Sequence, residues 1–149
     1  MPTELTTNFT LEELSSTSTG IDNTPSSTVV STLKAMARIL QRCRDAVGKP
    51  MVINSCYRSP RVNARVGGAR ASYHLTGTAV DISVYNYTSL DKKTLENSLM
   101  HYKPVEFIKY DTFWHVAFDI SKLGNHGDVT TYQMDYPNLE PDDPHAPDL

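Results

Sequence analysis

Three side chains stand out as able to do chemistry together: His74, Asp81 seven positions later, and the distant His115 beside Trp114. Imidazole nitrogen and carboxylate oxygen both bind zinc at roughly 2.0–2.2 Å, and a catalytic zinc keeps three protein donors and one position open for water. On one straight strand, seven residues would put His74 and Asp81 about 23 Å apart, so the chain must turn between them. Gly77 permits the turn because it has no Cβ to forbid positive φ. The run 79–84 (Ala-Val-Asp-Ile-Ser-Val) then alternates. Val80, Ile82 and Val84 are expected to face a core, and Ala79, Asp81 and Ser83 to face the site. The other histidines, His101, His126 and His145, have no such context and are read as structural.

The elements that must hold these groups are legible in outline. Thr10 and Glu13 fit a capping box opening a short helix at 11–14. Residues 15–24, rich in Ser, Thr, Gly and Asn, read as loop. Val29, Leu33, Met36, Leu40, Cys43 and Val47 recur at three- and four-residue steps, which predicts a helix over 25–45 ending before Gly48. A strand at 51–54 delivers Ser55 to Arg58 to its end, and 60–71 reads as an irregular loop whose arginines at 61, 65 and 70 are solvated. A second capping box, Thr88 with Asp91, opens a helix over 89–102 with Leu90, Leu95 and Leu99 inward. Strands at 105–109 and 113–118 form a hairpin carrying His115, and 129–136 reads as an edge strand. The Pro/Asp-rich segment 137–149 is expected to be a disordered tail. These elements predict an α+β fold, a small antiparallel sheet with flanking helices, in a single domain over 1–136.

The ordered motif Ser72-x-His74-x-x-Gly77-x-Ala79-x-Asp81, followed by Trp114-His115, resembles the signature of the zinc D-alanyl-D-alanine carboxypeptidase family. That family includes D-alanyl-D-alanine dipeptidases and the L-alanyl-D-glutamate endopeptidases of phage lysins, and shares its fold with the hedgehog signalling domain. The similarity extends through residues 54–60, Val62-Asn63 and Val66-Gly67-Gly68 to the opening Phe9-Thr10-Leu11, covering residues 9–118. It implies a zinc (Zn2+) peptidase acting on peptidoglycan stem peptides, with His74, Asp81 and His115 as metal ligands. Arg58, with Tyr57 and Ser72, would contact substrate; a guanidinium there can grip a carboxylate or polarised carbonyl with two prongs. Trp114 is expected to pack beside the site.

One position departs from the pattern. Many relatives carry Glu or Asp three residues before the last histidine, where it takes a proton from the attacking water and returns one to the leaving amine. Here that position is Thr112. Asp111 is therefore expected as the base, ahead of Glu106. On a regular strand Asp111 and His115 would be about 13 Å apart, so this assignment requires the hairpin to bulge or fold back. The same departure leaves open a non-catalytic wall-binding or protein-binding module, or a virion component.

Composition sets outer limits. At 149 residues, with 39% hydrophobic and 21% charged residues, the chain suits one globular domain, expected to be a monomer. A net charge of −3 gives no basic face for nucleic acid, and no apolar run is long enough for membrane insertion. The N-terminus shows no secretion signal. The bacterial cell wall is thus expected to be reached by phage lysis, virion delivery or another export route. Cys43 and Cys56, the only cysteines, are read as buried thiols, with a single disulfide as the alternative.

Overall fold

A 21-residue helix and the apolar face of a four-stranded sheet enclose the core. The computed structural model describes residues 2–122; the edge strand expected at 129–136, the tail at 137–149, His126 and His145 lie outside them. Strands β1 (Glu4–Thr6) and β2 (Phe9–Thr10) form a small antiparallel pair leading into helix α1 (Leu11–Leu14). The predicted capping box is present: Thr10 Oγ1 accepts from the Glu13 amide at 3.1 Å, and Glu13 Oε1 accepts from the Thr10 amide at 3.0 Å. Helix α2 (Ser27–Val47) starts on the Ser26 hydroxyl, which accepts from the Val29 amide, and stops at Gly48. Leu33, Met36, Leu40 and Cys43 of its stripe are buried, while Val29 and Val47 pack at the margin.

The main sheet has the order β3-β4-β6-β5, all antiparallel, with β3 at Met51–Ser55, β4 at Ala79–Val84, β5 at Glu106–Lys109 and β6 at Trp114–Ala117. Register decides which face each side chain takes. Val80 lies opposite Val116 and Ile82 opposite Trp114, and these four enter the core against the helices. The residues between them fall on the other face, where Ser55, Asp81, His115 and Ile108 form a row across the four strands. A one-residue slip would exchange the faces, at a cost of about 1.5–3 kcal/mol for each large apolar side chain exposed. Core burial thus fixes the site.

Helix α4 (Ser89–Met100) begins at the Thr88–Asp91 capping box. Lys49 pairs with Asp91, joining this helix start to the end of α2. Leu95 and Leu99 are buried, but Leu90 is 70% exposed, against expectation. The five-residue step from Leu90 to Leu95 rotates it about 140° off their stripe. A second correction concerns 60–71, whose first half is helix α3 (Pro60–Arg65). Ser59 caps it by accepting from the Val62 amide, and Pro60 occupies the first turn, where a missing amide proton costs nothing. Its side chains Val62 and Asn63 are buried, while the arginines at 61, 65 and 70 are exposed. Both cysteines are buried free thiols, and burial pushes the Cys43 thiol up to about 12.

Candidate metal centre

His74 is placed by a single 3-10 turn (Tyr73–Thr76). Ser72 caps it, its hydroxyl accepting from the His74 amide at 3.1 Å, and Gly77 ends it at φ 76°. A Cβ on Gly77 would also come within 3.0 Å of Leu33 Cδ2, so the turn needs glycine for space as well as conformation. The buried His74 ring has Nδ1 2.6 Å from the Cys56 carbonyl. A carbonyl can only accept, so Nδ1 carries a proton and Nε2 is the ring nitrogen left to face the site. Nε2 lies 3.3 Å from Asp81 Oδ2.

Asp81 and His115 meet because they are direct partners in the β4–β6 register. His115 Nδ1 is 2.8 Å from Asp81 Oδ1, and Nε2 is 2.7 Å from Glu106 Oε1. One donor atom from each of His74, Asp81 and His115 lies within 4.8 Å of the others. Burial alone would raise the Asp81 carboxyl, but hydrogen bonds from His115 and His74, and their charge, hold it at about 2. The same bond with Asp81 raises His115 above its ordinary value, opposed by burial and aided by Glu106. This two-nitrogen, one-carboxylate set suits zinc, and the two outer contacts, Cys56 carbonyl to His74 and Glu106 to His115, are of the kind that fix ligand tautomers.

Arg58 reaches the same carboxylate. Its Nη2 is 3.5 Å from Asp81 Oδ2, while Nε donates to Ser55 Oγ at 3.0 Å and Nη1 to Asn63 Oδ1 at 3.3 Å. Asn63 in turn donates to the Ala69 carbonyl, and a Cβ on Gly68 would fall 2.0 Å from Asn63 Oδ1. Gly68 therefore makes room for the amide that steadies Arg58. Asn23 was missed in the sequence: its buried amide joins the Ser15 and Tyr57 carbonyls and the Ser59 amide, tying the early loop to the segment bearing Arg58. An asparagine amid Ser, Thr and Gly carries no signal of burial.

The remaining expectations divide. Ser72 lines the cleft over the cluster, but Tyr57 is only 8% exposed and packs in the core, so its side chain is not presented to a ligand. Trp114 faces the core side, with its indole nitrogen donating to Glu96 Oε2 at 2.8 Å; adjacent strand residues point to opposite faces, which separates it from His115. Asp111 is exposed in the turn between β5 and β6 and does not line the cleft over the cluster, whereas Glu106 does. The turn closes without a bulge that would carry Asp111 back, Tyr110 donating its amide to the Phe113 carbonyl.

His74, Asp81 and His115 thus form a group on the floor of a cleft that could hold a metal ion. Residues 4–117 match the Peptidase M15 family, so the chain belongs to that family and is a zinc-dependent peptidase. No curated protein matches the chain.

Proposed function

We propose that the protein hydrolyses peptide bonds in bacterial peptidoglycan stem peptides, as a D-Ala-D-Ala carboxypeptidase or an L-Ala-D-Glu endopeptidase of the kind phages encode as lysins. Its place of action on this reading is the cell wall, reached by phage lysis, virion delivery or another export route. The observation that carries it is the convergence of His74, Asp81, His115, Arg58 and Glu106 around one cleft, in a member of this peptidase family.

His74 through Nε2, Asp81 through its carboxylate and His115 through Nδ1 would hold zinc. When bound, zinc supplies a Lewis acid that polarises a carbonyl and makes water acidic enough to attack near neutral pH. Glu106 takes the base role in place of Asp111. Its Oε1 accepts from His115 Nε2 and so fixes Nδ1 as the donor atom, while the other oxygen remains to take the attacking water's proton and return it to the leaving amine. Arg58, steadied by Ser55 and Asn63, presents its guanidinium edge beside Asp81, where it stabilises charge developing on the carbonyl oxygen. Digestion of purified peptidoglycan with the zinc-loaded protein, with products read by mass spectrometry, tests the proposal. New stem-peptide termini are expected, and loss of cleavage with Arg58→Lys would support the two-pronged contact. Sacculi left intact by a protein carrying one zinc per chain would refute it.

A further inference from the structure

Among the described residues the buried polar side chains are Asn23, Asn63 and His74, and all three bond to one short segment, residues 56–59. Burying a polar side chain destabilises unless it is hydrogen-bonded, and here each is bonded into the link between β3 and α3. That link carries parts of both the metal centre and the substrate contact. The Cys56 carbonyl accepts from His74 Nδ1 at 2.6 Å, and the Arg58 amide donates back to the His74 carbonyl at 2.9 Å. The main chain of 56–58 thus brackets the histidine at its ring and at its backbone, while the Arg58 side chain runs from the same segment to 3.5 Å from Asp81. A shift of this segment would move the zinc ligand and the guanidinium together. Pairing with β4 ends at Ser55 and α3 begins at Pro60, so the segment lies outside strand and helix.

Asn23 holds the segment from the side away from His74. Its Nδ2 donates to the Tyr57 carbonyl and to the Ser15 carbonyl, each at 2.9 Å, and its Oδ1 accepts from the Ser59 amide at 2.6 Å. Both hydrogens of the amide and its oxygen are used, each on main chain. Two of the partners, at 57 and 59, flank Arg58, so the amide forms a clamp across the arginine. The Tyr57 amide, which donates to the Leu14 carbonyl at 2.9 Å, is a second tie to the N-terminal region. Asn63 acts further out: its side chain bonds to the guanidinium and to the Ala69 carbonyl, so its reach is to Arg58 and not to His74. We propose that Asn23 is a positioning residue that sets His74 and Arg58 together through the main chain of 57–59. The Arg58 half rests on the cell-wall reading for its substrate, and the His74 half does not.

The test compares Asn23→Ala, the milder Asn23→Ser and Asn63→Ala in the full chain with Leu95→Ala, a stability control in the core that does not line the cleft. Zinc affinity is read by competition with a chromophoric chelator, kcat/KM on a synthetic stem pentapeptide at saturating zinc, and stability by urea unfolding. Both Asn23 variants are expected to bind zinc about tenfold more weakly or worse, the size of effect found when the partner of a metal-binding histidine is disturbed. Their kcat/KM should fall by about 10²-fold, as for a displaced positioning group. Asn63→Ala should lower kcat/KM by about tenfold and change zinc affinity by less than about threefold. Leu95→Ala, destabilised but folded, should change neither by more than about twofold. Zinc affinity within threefold of the parent in a folded Asn23 variant overturns the proposal, as does an equal loss in Leu95→Ala, because the loss then follows stability rather than position. If Asn23→Ala does not fold, Asn23→Ser decides; if neither folds, the residue is structural and the proposal falls. A parent protein that binds zinc but leaves the pentapeptide uncut overturns the cell-wall reading, and the zinc affinities still decide the role of Asn23.

Discussion

The two histidines of the metal centre are held by opposite means. His74 is buried, locked by the Cys56 carbonyl from beyond the end of β3 and by the serine cap and glycine stop of a tight turn packed on α2. His115 lies on a strand paired to the exposed edge strand β5, and both its nitrogens are held by carboxylates, Asp81 and Glu106. One ligand is positioned by main chain that cannot move without unfolding the turn, the other by side chains that can. The first half serves as the anchor, while the second adjusts and, on the proposed function, carries the proton-transfer group Glu106.

The largest expected effect follows on the anchored side. His74→Ala removes a zinc donor and leaves the buried Cys56 carbonyl without its partner, so kcat/KM should fall on the order of 10³-fold or more, with about 1–3 kcal/mol of stability lost. His115→Ala should abolish activity similarly but unfold less readily, since its side chain is 14% exposed, against 3% for His74, and leaves no buried carbonyl unpaired. Metal analysis with urea denaturation separates the two, and equal stability losses would erase the proposed contrast.

The adjustable side is tested by Glu106→Gln, which should lower kcat by about 10²–10⁴-fold with zinc retained, if Glu106 is the base. Asp111→Asn should change kcat by less than about twofold, as for a surface residue outside the machinery. If Glu106 serves only to orient His115, the loss appears instead as a roughly 10–100-fold weaker zinc affinity. Measuring kcat at saturating zinc distinguishes these outcomes.

The contrast also explains what the sequence could reveal. The His74 half is local: cap, turn glycine and the alternation of 79–84 occupy one short run, and the α2 stripe repeats often enough to be read directly. Asp111 is the carboxylate nearest position 112 in the sequence, but it lies exposed in the turn and away from the cleft. Glu106 reaches His115 across a strand pair whose register, Ile108 opposite His115, depends on how many residues the turn consumes. That number is not written in any single motif. Trp114 was a different matter, since its adjacency to His115 on a strand already implied opposite faces. Likewise, Ser59-Pro60 carried the start signal of α3 before the structure displayed it.

A smaller effect is expected from Gly77→Ala. At φ 76° an alanine costs roughly 1–2 kcal/mol, and its Cβ would press Leu33 Cδ2 at 3.0 Å. Because the turn aims His74, thermal stability and zinc affinity should fall together. A variant that loses stability but binds zinc unchanged would show that the turn does not set the ligand.

The smallest effect is on pH dependence, and it sets His115 against His101, a third histidine outside the site. Burial first, then the charges of Arg42 and Lys103, lower His101 from 6.5 to about 4. Between those values the unfolded chain binds the proton and the native chain does not, so this contribution is full above about 6.5 and is lost as pH falls toward 4. With His101 near the surface, it should amount to about 1–2 kcal/mol after allowance for solvent screening. His115 has the opposite sign: its raised value gives the metal-free protein stability that is present below the ordinary histidine range and is lost as pH rises through the raised value. Urea unfolding of the metal-free protein from pH 4.5 to 8 should therefore show two limbs. His101→Gln should flatten the acid limb and leave the alkaline one, and His115→Gln should do the reverse. An acid limb that persists in His101→Gln would mean that carboxylates carry it, and would remove His101 from the account.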